Sequence, residues 1–315
     1  MKIIFLSTAE IAVETLYNLL KFHDLAAVVT QPDAPKGRSK KLEPSIIAEV
    51  AAQENILLFK PEKLDNDLIE ELKKLNADIF VTFAYGVILR ENFFSITKYG
   101  GINIHPSLLP LLRGPSPIQS AIMSGMSVSG ITIQKVALKV DSGDILYQEN
   151  FDILPEDDAI TLEKKVSSLA GKAIIKVLSD FENNKLNPIK QNNKEATYCK
   201  LLKKEDGLIN WNNDADTIIN KIRACVKWPV AYTFIDNKRI NIYKATICED
   251  FLFEPYRDFE NGKIVFTDKK HGLIVKTLDS LVRIELLQLS GKKIIGSKEF
   301  LNGYRNLEEK KFLME

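Results

Sequence analysis

Cysteine is scarce in this chain of 315 residues: Cys199, Cys225 and Cys248 stand far apart without a C-x-x-C pair. That spacing excludes a disulfide scaffold, opposes a structural zinc site and fits a reducing compartment. Glycine is missing where a dinucleotide-binding unit needs it. Ser7-Thr8-Ala9-Glu10-Ile11-Ala12 follows the first apolar run in place of G-x-G-x-x-G, so an NAD or FAD enzyme is not expected. A G-x-x-x-x-G-K-[ST] loop for ATP is absent as well, so a transferred group must arrive already activated on a carrier cosubstrate. No apolar run reaches the roughly 20 residues of a membrane span. The opening Met1 to Leu6 turns polar at Ser7, too soon for a signal-peptide core. The expectation is a cytoplasmic monomer without membrane association. Surplus charge is missing too: 43 Lys and Arg against 42 Asp and Glu leave a formal +1. An all-over basic binder is thereby disfavoured, and partners must be read from local clusters.

What is present suffices for a large core. With 45% hydrophobic residues, a chain of this length predicts two domains. Strands read at Ile3 to Leu6, Ala26 to Thr30, Ile56 to Phe59, Ile79 to Phe83, Gly101 to His105 and Ile131 to Val136. Helical spacing fills Ile11 to Phe22, Ser45 to Asn55, Asn66 to Leu75 and Pro117 to Ser124. This alternation predicts an α/β domain, a Rossmann-like, mostly parallel sheet with right-handed crossovers, over residues 1–183. A long helix, Thr161 to Phe181, closes it, with Thr161 as the expected N-cap. Residues 184–205, rich in Asn and Lys and holding Pro188, read as a linker. Residues 206–315 change character. One helix, Asp216 to Val226, precedes short β runs at Ala231 to Ile235, Ile240 to Ala245, Lys263 to Phe266, Leu273 to Thr277 and Val282 to Gln288, which predict a smaller C-terminal OB-like β-barrel domain.

Chemistry concentrates in Gly101-Ile102-Asn103-Ile104-His105-Pro106-Ser107-Leu108-Leu109-Pro110 and in Asp141-Ser142-Gly143-Asp144. Strand alternation sends Ile102 and Ile104 to one face and Asn103 and His105 to the other. Pro106 then ends the ladder. In a parallel sheet both polar groups lie at the strand's carboxyl end, where such sheets place their ligand crevices. An amide, an imidazole and a carboxylate suit acyl transfer: the amide or an imidazolium can stabilise an oxyanion, and the imidazole and carboxylate can move a proton near neutral pH. The plainer reading is turn chemistry, for which Asp-Ser-Gly is well suited. His23 and His271 read as ordinary polar residues, and the Leu108 to Leu112 run as packed chain.

These motifs, with Arg113-Gly114, resemble the signature of formyltransferases that use 10-formyltetrahydrofolate. Thr30-Gln31-Pro32-Asp33-Ala34-Pro35-Lys36-Gly37-Arg38, Lys40-Lys41-Leu42 and Ala84-Tyr85-Gly86 resemble the members acting on methionyl initiator tRNA. So do Gly207-Leu208-Ile209-Asn210-Trp211, Ile222-Arg223-Ala224, Trp228-Pro229, Leu289-Ser290-Gly291-Lys292-Lys293 and Phe300-Leu301-Asn302-Gly303 in the carboxyl half. The resemblance implies Asn103, His105 and Asp141 as catalytic residues, with the proton divided in an unsettled way between the last two. It implies Ala84, Tyr85, Gly86, Ser107, Leu108, Leu109, Pro110 and Gly143 around the folate cosubstrate, and no metal. It implies Arg38, Lys40 and Lys41 as tRNA contacts, since Lys36 to Lys41 carries four positive charges in six residues. By composition alone that run is a solvated loop. Alternatives are a relative that formylates glycinamide ribonucleotide or an amino sugar nucleotide, a formyl-folate hydrolase, or a non-catalytic RNA-binding protein. The first turn and Leu111-Leu112 depart from the family's usual Gly-Thr-Pro and basic or aromatic residues.

Overall fold

The apolar run after Met1 forms strand β1 (Lys2–Leu6), whose Ile3, Ile4, Phe5 and Leu6 are all fully buried, as expected of a strand covered on both faces. The computed structural model that shows this describes residues 1–36, 41–304 and 306–314. Two compact units are formed. The first comprises Met1–Pro117, Val128–Asp152 and Glu163–Lys200; the second comprises Ile118–Ser127, Ile153–Leu162 and Leu201–Glu315.

In chain order after β1 come α1 (Val13–Phe22), β2 (Asp24–Val29), β3 (Ala34–Lys36), β4 (Lys41–Glu43), α2 (Ile46–Gln53), β5 (Leu58–Phe59), α3 (Asn66–Lys74), β6 (Ile79–Phe83), β7 (Gly101–His105), α4 (Pro117–Met123), β8 (Val128–Lys135), β9 (Ile145–Asp152) and α5 (Ala159–Glu182). The main sheet runs β5-β2-β1-β6-β7-β8-β9. Its first five strands pair in parallel, whereas β7-β8 and β8-β9 are antiparallel. Because β1 is flanked by β2 and β6, the winding reverses between β1 and β6. A crevice is expected at the carboxyl ends of strands at such a reversal. The Ser45 hydroxyl accepts the Ala48 N–H to cap α2, and the Asp65 carboxylate accepts the Leu68 N–H to cap α3. Leu68, Ile69 and Leu72 of α3 are buried in one cluster with Ile4, Phe80 and Phe93. Each such side chain contributes about 1.5–3 kcal/mol by leaving water.

Several local expectations are corrected. Helix α5 begins before Thr161, at Ala159. Asp158 caps it, its carboxylate accepting the Thr161 N–H at 2.8 Å while the Thr161 hydroxyl oxygen accepts the Asp158 N–H at 2.9 Å. A carboxylate one turn earlier outcompetes the hydroxyl as cap, and Thr161 takes the reciprocal role. The strand expected from Ile56 is only Leu58–Phe59. Strand β9 escapes recognition because its sequence ILYQENFD mixes polar and apolar residues, as an outer strand with one solvated face does. Residues 184–200 read as linker, yet Ile189 bridges to Ile145 and Tyr198 to Arg113 within the first unit.

The second unit holds α6 (Ala215–Ala224), capped by the Asp214 carboxylate, then β10 (Tyr232–Ile235), β11 (Lys238–Ile247), β12 (Ile264–Asp268), β13 (Gly272–Lys276), β14 (Leu281–Leu289), β15 (Ile295–Gly296) and α7 (Ser297–Phe300). The sheet runs β10-β11-β14-β13-β12 with β15 on β14, all antiparallel. Residues 310–313 bond to both ends of that order. Leu313 exchanges backbone hydrogen bonds with Phe234 of β10, while the Phe312 N–H donates to the Gly262 carbonyl and the Ile264 N–H of β12 donates to the Lys310 carbonyl. Inside, the Trp211 ring stacks on Phe312 at 5.4 Å and its indole N–H donates to the Thr233 hydroxyl.

Candidate active site

Strand β7 alternates as its sequence requires: Ile102 and Ile104 are buried, and Asn103 and His105 share the other face. Antiparallel pairing with β8 sets Asn103 opposite Gln134 and His105 opposite Thr132, and β9 adds Gln148 opposite Thr132. A polar stripe therefore crosses three strands. Its outer part anchors the chain that leaves β7. The Thr132 hydroxyl donates to the Ser107 carbonyl at 2.6 Å and accepts the Leu109 N–H at 3.0 Å, while the Gln148 amide donates to the Leu109 carbonyl at 2.8 Å.

Asp141 meets the stripe from the loop between β8 and β9, with φ of 53°, a left-handed backbone that Asp tolerates better than most residues. Its carboxylate gathers N–H donors. The Asn103 side-chain nitrogen lies 3.3 Å from Oδ1, the Gln134 side-chain nitrogen 3.1 Å from Oδ1, and the Gly114 backbone N–H 2.9 Å from Oδ2. Because a carboxylate only accepts, these contacts orient both amides, nitrogen toward Asp141 and oxygen away.

His105 is 4% exposed and its Nδ1 faces Asp141 Oδ2 at 3.6 Å, beyond hydrogen-bonding distance. Its Nε2 lies 2.9 Å from the Leu112 carbonyl, which can only accept, so Nε2 carries a proton. Burial pushes the imidazole below its ordinary value; Asp141 and the Leu112 bond oppose this with smaller effect. The neutral ring therefore presents an unprotonated Nδ1. A proton captured there would lie beside a carboxylate.

Arg113 and Gln191, to which the motifs assign no chemistry, complete this cluster with Gln134. Arg113, 1% exposed, donates through Nε and Nη2 to the Gln191 side-chain oxygen Oε1 at 3.1 and 2.7 Å, and through Nη2 to Asn193 Oδ1 at 2.9 Å. The two N–H groups of the Gln191 side-chain nitrogen are shared among the Gly143 carbonyl at 2.7 Å, the Asp141 carbonyl at 3.0 Å and the Gln134 side-chain oxygen at 3.1 Å. Gln134 carries a sequence signal, a polar residue alternating with Ile131 and Ile133. Gln191 carries none, sitting in a polar stretch 50 residues from Asp141.

The remaining expected residues divide. Phe83 pairs with Ile104, so the turn Ala84-Tyr85-Gly86 lies beside the end of β7. Its shape is held by the Tyr85 carbonyl, which accepts the Thr8 hydroxyl at 3.1 Å and the Gln31 amide at 2.7 Å. Tyr85 is buried, which pushes its phenol up to about 12. The Ser107 hydroxyl is also turned inward, donating to the Leu111 carbonyl at 2.6 Å, and Leu109 is buried; Leu108 and Pro110 are half-buried. At Gly143 a Cβ would stand 1.8 Å from the Lys135 carbonyl, so the close approach this glycine permits is to β8. Arg38 and Lys40 lie outside the described residues; Lys41 is exposed on β4, which pairs with β3. Among the described residues no group of three His, Cys, Asp or Glu could hold a metal ion, and no helix is long and apolar enough to cross a membrane. A cavity of about 620 Å³ opens against Met1, Asp78, Tyr99, Lys135 and Phe181, at the amino ends of β1 and β6.

Comparison with known proteins adds the following. The family model described as formyl transferase matches residues 1–178, and that described as formyl transferase, C-terminal domain, matches residues 201–305. A methionyl-tRNA formyltransferase of Borreliella afzelii (strain PKo) is 41% identical over 308 residues, 98% of this chain and 96% of that protein. One of Treponema denticola is 40% identical, covering 96% of this chain and 97% of that protein. Among solved structures, the sugar 3N-formyl transferase WlaRD, studied in the presence of dTDP and 5-N-formyl-THF, superimposes with a TM-score of 0.66 at 22% identity, covering 93% of this chain and 99% of that one. HypX from Aquifex aeolicus in complex with tetrahydrofolic acid gives 0.62 at 18% identity over 96% of this chain, which spans about half the length of HypX. At such identities these two likenesses show the fold.

Proposed function

The chain belongs to the methionyl-tRNA formyltransferase family, and from that premise we propose how its residues move a formyl group from 10-formyltetrahydrofolate to the α-amino group of methionyl initiator tRNA. The observation that carries the assignment is the meeting of Asn103, His105 and Asp141 at the carboxyl end of β7, one amide and one imidazole on a single carboxylate.

The amine nitrogen attacks the formyl carbon, and the carbonyl oxygen becomes an oxyanion. Asn103 holds one N–H on Asp141 and has a second to give that oxygen. A fixed donor of this kind is worth about 100- to 1,000-fold in rate. The attacking nitrogen must lose a proton while the folate nitrogen gains one. His105 Nδ1, unprotonated in the buried neutral ring, accepts the first, and the imidazolium so formed is stabilised by Asp141 3.6 Å away. Stabilisation that appears only as the reaction proceeds lowers the barrier without deepening the ground state. Collapse expels the folate nitrogen, which takes the proton from His105.

Ala84, Tyr85, Gly86, Ser107, Leu108, Leu109, Pro110 and Gly143 form the walls proposed for the folate. Supporting this, Val87 and Ile88 next to the Ala84 turn are exposed, Ile88 at 73%, an apolar surface suited to a planar ring. Arg38, Lys40 and Lys41 are the proposed phosphate contacts. The proposed division is a catalytic domain of residues 1–183, a segment 184–205 of which residues 184–200 fold back onto that domain, and a tRNA-binding domain 206–315, read as an OB-like barrel. The bonds of residues 310–313 to both β10 and β12 support the barrel reading. A cytoplasmic monomer completes the proposal.

The test supplies formyl-labelled 10-formyltetrahydrofolate with methionyl-tRNA, glycinamide ribonucleotide, an amino sugar nucleotide or water alone. Label is expected on the methionine amine. Label found only in formate or in a nucleotide overturns the reading.

A further inference from the structure

We propose that Gln191 is a positioning residue for the formyl transfer, setting through Gln134 the orientation of the Asp141 carboxylate that faces His105. This rests on the roles given to Asp141 and His105 above. Arg113 only donates, so the Gln191 oxygen must face it, and the two bonds at 3.1 and 2.7 Å fix that end. The Gln191 nitrogen is thereby aimed at the Asp141 carbonyl, the Gly143 carbonyl and the Gln134 oxygen. The Gly143 N–H, also donor-only, meets the same Gln134 oxygen at 3.1 Å. Two donors on one end of Gln134 turn its nitrogen to Asp141 Oδ1. A single polarity thus runs from a fully buried guanidinium through two amides to the carboxylate. Gln191 also bonds both carbonyls that bracket Ser142, holding the left-handed turn at Asp141 from outside.

A side chain that merely filled space would not need this order. Turning either amide over would oppose oxygen to oxygen at Asp141 and leave a buried donor unpaired. Arg113 is the cation in contact with Gln191, with the Tyr198 phenol 3.5 Å from its Nη1. The groups facing His105 are Asp141 on one side and, on the other, the Leu112 carbonyl, which the Cys199 thiol also approaches at 3.5 Å.

The experiment compares Gln191→Leu, Gln134→Met, Asn193→Ala and Asp141→Asn in the full chain. It records kcat and KM for both substrates, the pH profile of kcat, and the thermal midpoint. Gln191→Leu and Gln134→Met are expected to lower kcat by about 10- to 100-fold, the scale seen for outer partners of site ligands. KM should change little. The acid limb should move to higher pH, because a carboxylate with one N–H fewer attracts the His105 proton more strongly. Asn193→Ala, which shares Arg113 but touches neither amide, should behave as the parent. An unchanged kcat and profile in Gln191→Leu overturn the proposal, as does a loss matched by unfolding with the profile unmoved. Should Gln191→Leu fail to fold, parental kcat and profile in Gln134→Met overturn it equally. If Asp141→Asn is inactive while both glutamine variants match the parent, this proposal alone falls; if Asp141→Asn is fully active, the assignment of Asp141 falls with it.

Discussion

The Asn103 side-chain nitrogen lies 3.3 Å from Asp141 Oδ1, so the carboxylate decides which end of the amide it holds and leaves the second N–H of that nitrogen for a substrate oxygen. An asparagine free to turn over would present a carbonyl half of the time and repel the oxyanion it should stabilise.

Replacing Asn103 by Ala should therefore lower kcat by about 100- to 1,000-fold with a smaller change in KM. Asn103 is only half-buried, so the thermal midpoint should move little. Pre-steady-state formyl transfer measured beside thermal unfolding checks both.

The burial of His105 gives the pH dependence a sign. Its ordinary value is 6.5 and the folded value is lower, so the ring is neutral at pH 7 and the acid limb of kcat/KM should fall below pH 6.5. The same shift couples to stability. Between the folded and unfolded values the unfolded chain binds the extra proton, so the contribution of His105 is complete above pH 6.5 and is lost as pH falls toward the folded value. His105→Gln should remove the acid limb together with most of the activity and flatten this part of the stability profile. An acid limb above pH 7 would contradict the neutral ring.

Legibility in the sequence followed what is local. The alternation of Gly101 to His105 placed Asn103 and His105 on one face, and the strand matches residue for residue. What could not be read is supplied by backbone and by distance. The Leu112 carbonyl that fixes the His105 tautomer has no sequence signature, because every residue carries one. Gln191 reaches Asp141 only because residues 184–200 fold back on the first unit, and a polar Asn/Lys-rich stretch reads as linker whether or not it does so. The cap of α5 is not legible for a related reason: Asp158 and Thr161, one turn apart, both suit the position, and only geometry shows that Asp158 caps.

Gly143→Ala should cost about 1–3 kcal/mol or more, since the new methyl would stand 1.8 Å from the Lys135 carbonyl and backbone must move. The displaced loop carries Asp141, so activity should fall beyond what the lost stability explains. Denaturant unfolding together with kcat at a temperature where the variant is folded separates the two effects.

Neutralising Arg38 should raise KM for methionyl-tRNA and make it less sensitive to salt, as loss of one phosphate contact does. Formylation of a small amine should be spared. Equal tRNA kinetics for parent and Arg38→Ala across a salt series would remove the residue from the tRNA contacts.

The seat of residues 310–313 bears on the order in which the molecule can be made. Leu313 bonds to Phe234, 79 positions earlier, and Lys310 to Ile264. During synthesis β10 to β14 leave the ribosome while two strand edges still lack their partner. Pairing at such long separation is slow to nucleate. The second unit therefore completes itself only once residues 310–313 have left the ribosome, and a chain stalled before them would expose β10 and β12 as open edges.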